Sequence, residues 1–160
     1  MYLRPVTPRD RDQLLALLQR IENFTDAEKQ VARDLIHDAL DRPESGYRCL
    51  VALDADGENE ICLGYLCFGQ TPMTRHTYDL YWIVVDPAQR RRGVAHRLLV
   101  AFEELLRQTG GKIVRVETST QESYGGTLQF YKREGFAPGG RIPHFYKQND
   151  DLLIFYKVVE

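Results

Sequence analysis

The 160-residue chain is predicted to be a single α/β (α+β) domain, with a central mixed sheet of about seven strands and about four helices. Three observations predict this. The element signals run strand, two helices, three strands, helix, strand, helix, two strands. No repeat, low-complexity tract or long linker divides residues 1–160. The apolar run from Leu80 to Val85 passes through Asp86-Pro87 and an arginine-rich loop into an amphipathic helix, a strand-loop-helix unit that needs a sheet beside it.

Taken in order, Tyr2 to Pro5 reads as a short first strand, and Pro8 to Arg20 as a helix with Leu14, Leu15, Leu17 and Leu18 on its inner side. A second helix runs from about Asp26 to Leu40, with Thr25 as N-cap before Asp26 and Glu28, and Pro43 just past its end. Tyr47 to Leu53 and Ile61 to Phe68 flank the polar stretch Asp54 to Glu60, whose Asp56-Gly57 step marks a hairpin. Thr77 to Val85 is the fourth strand. The helix from Gly93 to about Gln108 carries Val94, Leu98, Leu99, Phe102, Leu105 and Leu106 at helical spacing and stops at Gly110-Gly111. Lys112 to Thr118 is a fifth strand, about Gly126 to Glu134 a last helix ending at Gly135, and Arg141 to Tyr146 with Leu152 to Val159 two closing strands.

Composition excludes several classes. With 21 basic and 23 acidic side chains the net charge is -2, which argues against a general nucleic-acid binder that must neutralise many phosphates through Arg90, Arg91 and Arg92. Met1 to Pro5 lacks the apolar run of a signal peptide and no segment is long enough to span a bilayer, so a cytoplasmic protein without a membrane partner is expected. Cys49, Cys62 and Cys67 form no Cys-x-x-Cys pair, and strict alternation puts Cys62 and Cys67 on opposite faces of one strand, so buried reduced thiols are expected. No His, Cys and Asp spacing suggests a metal.

The loop before the long helix has the chemistry of an anion seat. The first turn opens inside Arg90-Arg91-Arg92-Gly93, so free backbone N–H groups, the positive helix end and a glycine all face whatever the loop holds. Neither a triphosphate loop nor a dinucleotide fingerprint fits, because Gly93 stands alone with Ala95 two residues on. The pattern resembles the Arg/Gln-x-x-Gly-x-Gly/Ala signature of the GNAT superfamily of N-acetyltransferases, carried by Arg90, Gly93 and Ala95. Phe130-Tyr131-Lys132-Arg133-Glu134-Gly135-Phe136 is similar to that family's Phe-Tyr-x-x-x-Gly-Phe and follows after a helix, a strand and a turn, as the family requires. The element order resembles the family along almost the whole chain.

The resemblance implies an acyl-CoA N-acyltransferase-like fold, splayed in a V between the fourth and fifth strands. It implies acetyl-CoA as acetyl donor and a primary amine of a small molecule or peptide as acceptor, joined by direct attack through a tetrahedral intermediate. A module that holds CoA without turning it over is the alternative, and a homodimer is compatible with either. By the same resemblance Arg90, Arg91, Arg92, Gly93, Val94 and Ala95 grip the pyrophosphate. The Ile83 N–H faces the developing oxyanion, Val85 binds pantetheine as an added strand with Val84 between them, and Tyr131 faces the departing thiolate. The chain departs from the family at Tyr124, where an asparagine is common seven residues before this tyrosine.

An alkyl amine near pKa 10.4 must lose its proton to attack, which at neutral pH costs about 4 kcal/mol. Two carboxylates are candidates for that proton. Asp79 falls by resemblance where some members carry a glutamate base, and strict alternation puts it on the face of Tyr81, Ile83 and Val85; Glu117 ends the fifth strand. Either is equally well read as the ordinary partner of a basic neighbour. Asp79, Glu117, Asp150 and Asp151 together suggest an acidic mouth for a cationic amine, walled by the first two helices and Arg141 to Tyr146.

Overall fold

The computed structural model spans residues 1–160 and describes 1–56, 59–121 and 124–160. Seven strands form one sheet: β1 (Tyr2–Pro5), β2 (Tyr47–Asp56), β3 (Asn59–Gln70), β4 (Thr77–Val85), β5 (Ile113–Ser119), β6 (Ala137–Lys147) and β7 (Asp150–Val158). Four helices accompany them: α1 (Arg11–Gln19), α2 (Asp26–Asp41), α3 (Val94–Thr109) and α4 (Gly125–Arg133). The spatial order is β1-β2-β3-β4-β5-β7-β6, antiparallel throughout except for the parallel β4–β5 pair. This is the mixed sheet with four helices that the element order predicts.

Two cores share the sheet. On one face α3 and α4 bury Leu98, Leu99, Phe102, Leu106 and Tyr131 against Leu66, Phe68, Leu80, Val114 and Val116. On the other, α1 and α2 bury Leu14, Leu17, Leu18, Ala32 and Ile36 against Val51, Leu53, Tyr65, Cys67 and Val84. Burial of this many apolar side chains, each worth roughly 1.5–3 kcal/mol, clamps the sheet from both sides. Leu15 of the expected inner stripe is only half-buried.

Differences from the expected boundaries have local causes. Pro8–Asp10 forms a separate single helical turn, and α1 begins at Arg11. Thr25 caps α2 as expected, in a reciprocal capping box with Glu28. The β2–β3 hairpin is longer than predicted, because Asp54 to Asp56 and Asn59 to Glu60 continue the ladder despite their polarity; Gly57 of the expected turn lies outside the described residues. β6 starts at Ala137, four residues early. It is an edge strand exposed along most of its length, so its sequence shows no alternation.

Two bulges overturn parity arguments. Leu63 is the extra residue where the β2–β3 register jumps from Ala52–Gly64 to Leu53–Cys62, so Cys62 and Cys67 end in the same core rather than on opposite faces. All three cysteines are buried and free, as expected. Tyr81 is the extra residue where the β3–β4 register jumps from Cys67–Trp82 to Phe68–Leu80. Ile83 and Val85 therefore share a face with Leu80, whereas Asp79 lies on the opposite face, that of Trp82 and Val84. Among the described residues, no helix is long and apolar enough to cross a membrane.

Candidate active site

The site exists because β4 and β5 part company. Their parallel pairing consists of Thr77–Ile113, Tyr78–Val114 and Asp79–Arg115 and goes no further, while β4 continues to Val85 and β5 to Ser119. On its other edge β4 stays paired with β3 to Val85, and the Asp86 N–H donates to the Leu63 carbonyl at 2.9 Å. Alternation back from Asp86 turns the backbone groups of Val84 and Trp82 toward β3 and those of Ile83 and Val85 toward the gap. The gap opens into a cleft of about 880 Å³. Asp79, Ile83, Val84, Val85, Arg90, Glu117 and Tyr131 of the expected site residues line it together.

Arg91, Arg92, Gly93, Val94 and Ala95 are not in that lining; they shape the loop at one end. Arg91 and Gly93 both have positive φ, 65° and 73°, and an added Cβ at Gly93 would meet no protein atom within 4 Å. The first helical bond of α3 runs from the Arg97 N–H to the Gly93 carbonyl at 3.0 Å, which leaves the N–H groups of Val94, Ala95 and His96 without an acceptor among the described residues. The Val94 side chain is core, packed over Gly64, where an added Cβ would come within 2.5 Å of the Val84 carbonyl. Gly64 thus lets the start of α3 sit tightly on β3 and β4. Arg92 turns aside to Asp54 at 2.9 Å and to Gln89, and the chain amino terminus joins Asp54 at 2.6 Å. Arg90 faces the cleft with no ion-pair partner among the described residues.

On the α3/α4 side, the Tyr131 ring packs edge-on against Phe130 and Phe136 with centroids 5.4 and 5.1 Å away. Only 5% of Tyr131 is exposed, its hydroxyl has no protein partner among the described residues, and burial alone pushes its phenol above the ordinary value of 10.0. Thr118, also lining the cleft, has a buried and unpartnered Oγ1.

The α1/α2 side is more polar. The Arg115 Nε donates to Asp79 Oδ1 at 2.6 Å, and Arg115 Nη1 lies 3.4 Å from Glu117 Oε1, so one guanidinium holds both candidate carboxylates. Asp79 is 7% exposed; the Glu117 side chain is 43% exposed. Burial and then Asp79 push the Tyr81 phenol up to about 12. Glu28 accepts from the Tyr124 hydroxyl, and Asp150 accepts from Ser119 Oγ. Burial, and then the charges of Glu117, Asp150 and Glu28, raise the Tyr146 phenol, and these carboxylates of three elements line the cleft together with it. Phe24 and Trp82, with centroids 4.7 Å apart, close the wall.

The expected mouth is thus corrected in three places: of the first two helices only α2 lines it, with Ile21, Asn23, Phe24 and Thr25 before it, because α1 packs into the core. Asp151 turns away, accepting from Arg141 Nε at 2.6 Å and the His144 N–H at 2.8 Å in a separate small hollow with Pro143 and Asn149. Of Arg141 to Tyr146 only Tyr146 lines the cleft, and Glu28 takes the place assigned to Asp151. Arg115 and Glu28 were missed as site residues, whereas Tyr146 was expected in the wall and lies there. The Arg115-x-Glu117 spacing already put two charges on one strand face, but what they meet depends on the β4–β5 register.

The sequence matches the acetyltransferase (GNAT) family over residues 11–136, and the chain belongs to that family. It is an acetyltransferase by fold and family. Among solved structures it is similar to a protein from Desulfovibrio desulfuricans assigned to the GNAT acetyltransferases, with 33% identity over 99% of both chains and a TM-score of 0.92. It shares the fold of an aminoglycoside 6'-N-acetyltransferase complexed with coenzyme A, at 17% identity, TM-score 0.75 and coverage of 100% of this chain and 98% of that one. It likewise shares the fold of the ribosomal-protein-S18-alanine N-acetyltransferase from Escherichia coli, at 17% identity, TM-score 0.75 and coverage of 99% and 94%. A search of curated proteins found no match.

Proposed function

We propose that this acetyltransferase moves the acetyl group of acetyl-CoA onto a primary amine that enters from the α1/α2 side of the cleft. The observation that carries this reading is the end of β4–β5 pairing at Asp79–Arg115, which frees one edge of β4 inside a cleft that reaches Arg90, in the loop before the open start of α3. The residues present fit the donor. Three free N–H groups of α3, the positive helix end and Arg90 suit a pyrophosphate, and the free β4 edge suits an amide-bearing arm lying alongside as an added strand. When bound, acetyl-CoA supplies an acyl group already activated as a thioester.

In this reading Val85 holds the arm through its backbone N–H and carbonyl, Val84 is core between two functional backbones, and the Ile83 N–H points to where negative charge develops on the acyl oxygen. Tyr131 acts on the sulfur side. A phenol of ordinary pKa is already a weaker acid than a thiol near 8.5, so complete proton transfer runs uphill by about 2 kcal/mol, and burial of Tyr131 steepens that slope. Tyr131 therefore works chiefly as a hydrogen-bond donor to the departing sulfur.

The amine proton leaves on the other wall. Asp79 is buried and clasped by Arg115, whereas Glu117 is the more loosely held and the better open to solvent, so Glu117 takes the proton directly or through water and Asp79 orients Arg115. Glu28, Glu117 and Asp150 around Tyr124 and Tyr146 favour an acceptor bearing positive charge. Thiol release from acetyl-CoA, read against a panel of monoamines, diamines, amino sugars and peptide amino termini, tests the reading. Thiol release with cationic amines is expected; binding of acetyl-CoA without release to any amine overturns it in favour of a CoA-holding module.

A further inference from the structure

Three hydroxyl residues end β5 and begin the following turn: Thr118, Ser119 and Thr120. Two have partners. Ser119 Oγ donates to Asp150, and Thr120 Oγ1 accepts from the Asp151 N–H at 2.8 Å. Thr118 is 7% exposed and its Oγ1 has no partner among the described residues. A buried hydroxyl without a partner weakens folding, and a valine of nearly the same shape would not carry that penalty.

Position says what could complete it. Thr118 lies beyond the last β4–β5 pair, so no β4 backbone covers it on that edge, and it lines the cleft. It follows Val114 and Val116 at alternate positions, both buried against α3 and α4, and it pairs across β7 with Leu153, which packs on the same core. Its side chain is therefore on the wall of Tyr131, away from Arg115 and Glu117.

We infer that Thr118 is a contact residue for the acyl-bearing end of acetyl-CoA, its hydroxyl donating to a carbonyl there, either that of the thioester or that of the nearest pantetheine amide. The inference rests on the donor reading given above. The neutral hydroxyl suits a neutral carbonyl, and the apolar neighbours Val116, on the same strand face, and Leu153, opposite on β7, strengthen a hydrogen bond that water cannot contest.

The test compares wild type, Thr118→Val and Thr118→Ser by the melting temperature of the ligand-free protein and by calorimetric affinity for CoA and for acetyl-CoA. Thr118→Val is expected to melt at or above wild type yet bind acetyl-CoA about three- to tenfold more weakly, the range for one neutral hydrogen bond, with Thr118→Ser restoring affinity. Weakening toward acetyl-CoA alone assigns the thioester carbonyl; equal weakening toward CoA assigns the amide. Wild-type affinity in Thr118→Val, or a loss of affinity matched by a lower melting temperature, overturns the role of Thr118. Failure of the wild type to bind either ligand overturns instead the donor reading beneath it.

Discussion

On the α3/α4 side, polar groups stand without a partner among the described residues: the N–H groups of Val94, Ala95 and His96 beside the mouth of the cleft, and the hydroxyls of Tyr131 and Thr118, two residues of its lining. On the wall built by α2, the segment before it and the far face of β5, the carboxylates are already engaged, Asp79 and Glu117 with Arg115, Glu28 with Tyr124 and Asp150 with Ser119. A ligand on the first wall adds hydrogen bonds to groups that lacked them. A ligand that engages the carboxylates of the second must exchange with bonds that exist, so affinity there depends on how well it replaces each partner, although the buried Trp82 Nε1 on that side is also unpartnered among the described residues. In the proposed reading the first wall therefore suits a donor held largely through backbone, and the second an acceptor selected through side chains.

The largest effect expected from breaking this contrast is at Tyr131. Tyr131→Phe should bind acetyl-CoA as wild type does but turn over about ten- to a thousandfold more slowly, the range for losing a positioned donor to developing charge. Single-turnover thiol release beside calorimetry separates the two quantities. Equal single-turnover rates would return Tyr131 to the core, where its ring packs with Phe130 and Phe136.

Next comes Gly93→Asp, which aims at the open N–H groups. The protein itself leaves room for the new side chain, so the disturbance falls on the ligand, through like charge and bulk, together with about 1 kcal/mol of left-handed backbone strain at φ 73°. Affinity for acetyl-CoA should drop at least about tenfold while circular dichroism reports a folded protein. A folded variant with unchanged affinity would move the anion seat elsewhere.

The acceptor wall should respond in a different quantity. Glu28→Gln, which keeps the shape of the Tyr124 contact, should raise the KM for a diamine by about three- to tenfold and leave that of a monoamine unchanged, in line with the loss of one partly screened charge. Glu117→Gln should lose most activity near pH 7 and recover as pH climbs toward the amine pKa near 10.4, whereas Asp79→Asn should lose activity evenly across pH. Parallel pH-rate profiles for wild type and both variants would remove either carboxylate from the proton path.

The smallest effect concerns acid. At the foot of α1, burial opposes the charge of Asp10, but the Arg4 guanidinium and two bonds from Thr7 outweigh it and hold the carboxyl below its ordinary 3.8. A lowered folded pKa means that its stabilisation is complete above the ordinary value and is lost as pH falls through the lowered one. Hydrogen exchange should therefore show the α1/α2 wall loosening before the α3/α4 wall as pH drops below 4, and Asp10→Asn should shift that onset. Uniform loosening of both walls would show that the carboxylate wall is no more acid-labile than the backbone one.

The proposed donor wall is legible in the sequence alone because its information is local. The α3 seat is written in Arg90 to Ala95 and a helical period after Gly93, and Tyr131 stands in a short run between Phe130 and Gly135; each depends on residues within one or two turns of helix. The acceptor wall depends on registers between distant strands. Whether Asp79 meets Arg115 is decided by the parallel pairing of β4 with β5 across 36 residues of chain, and whether it shares a face with Ile83 by one extra residue, Tyr81, opposite β3. A bulge leaves no mark in hydrophobic alternation until the partner strand is known, because either parity buries apolar residues when both faces carry a core. For the same reason the sequence puts Asp151 at the mouth and shows Glu28 only as an acidic residue in the turn after the Thr25 N-cap. Composition, period and motif determined the family fold and located the proposed donor seat from the chain itself, while the pairing of strands far apart in sequence decided which charges meet across the cleft.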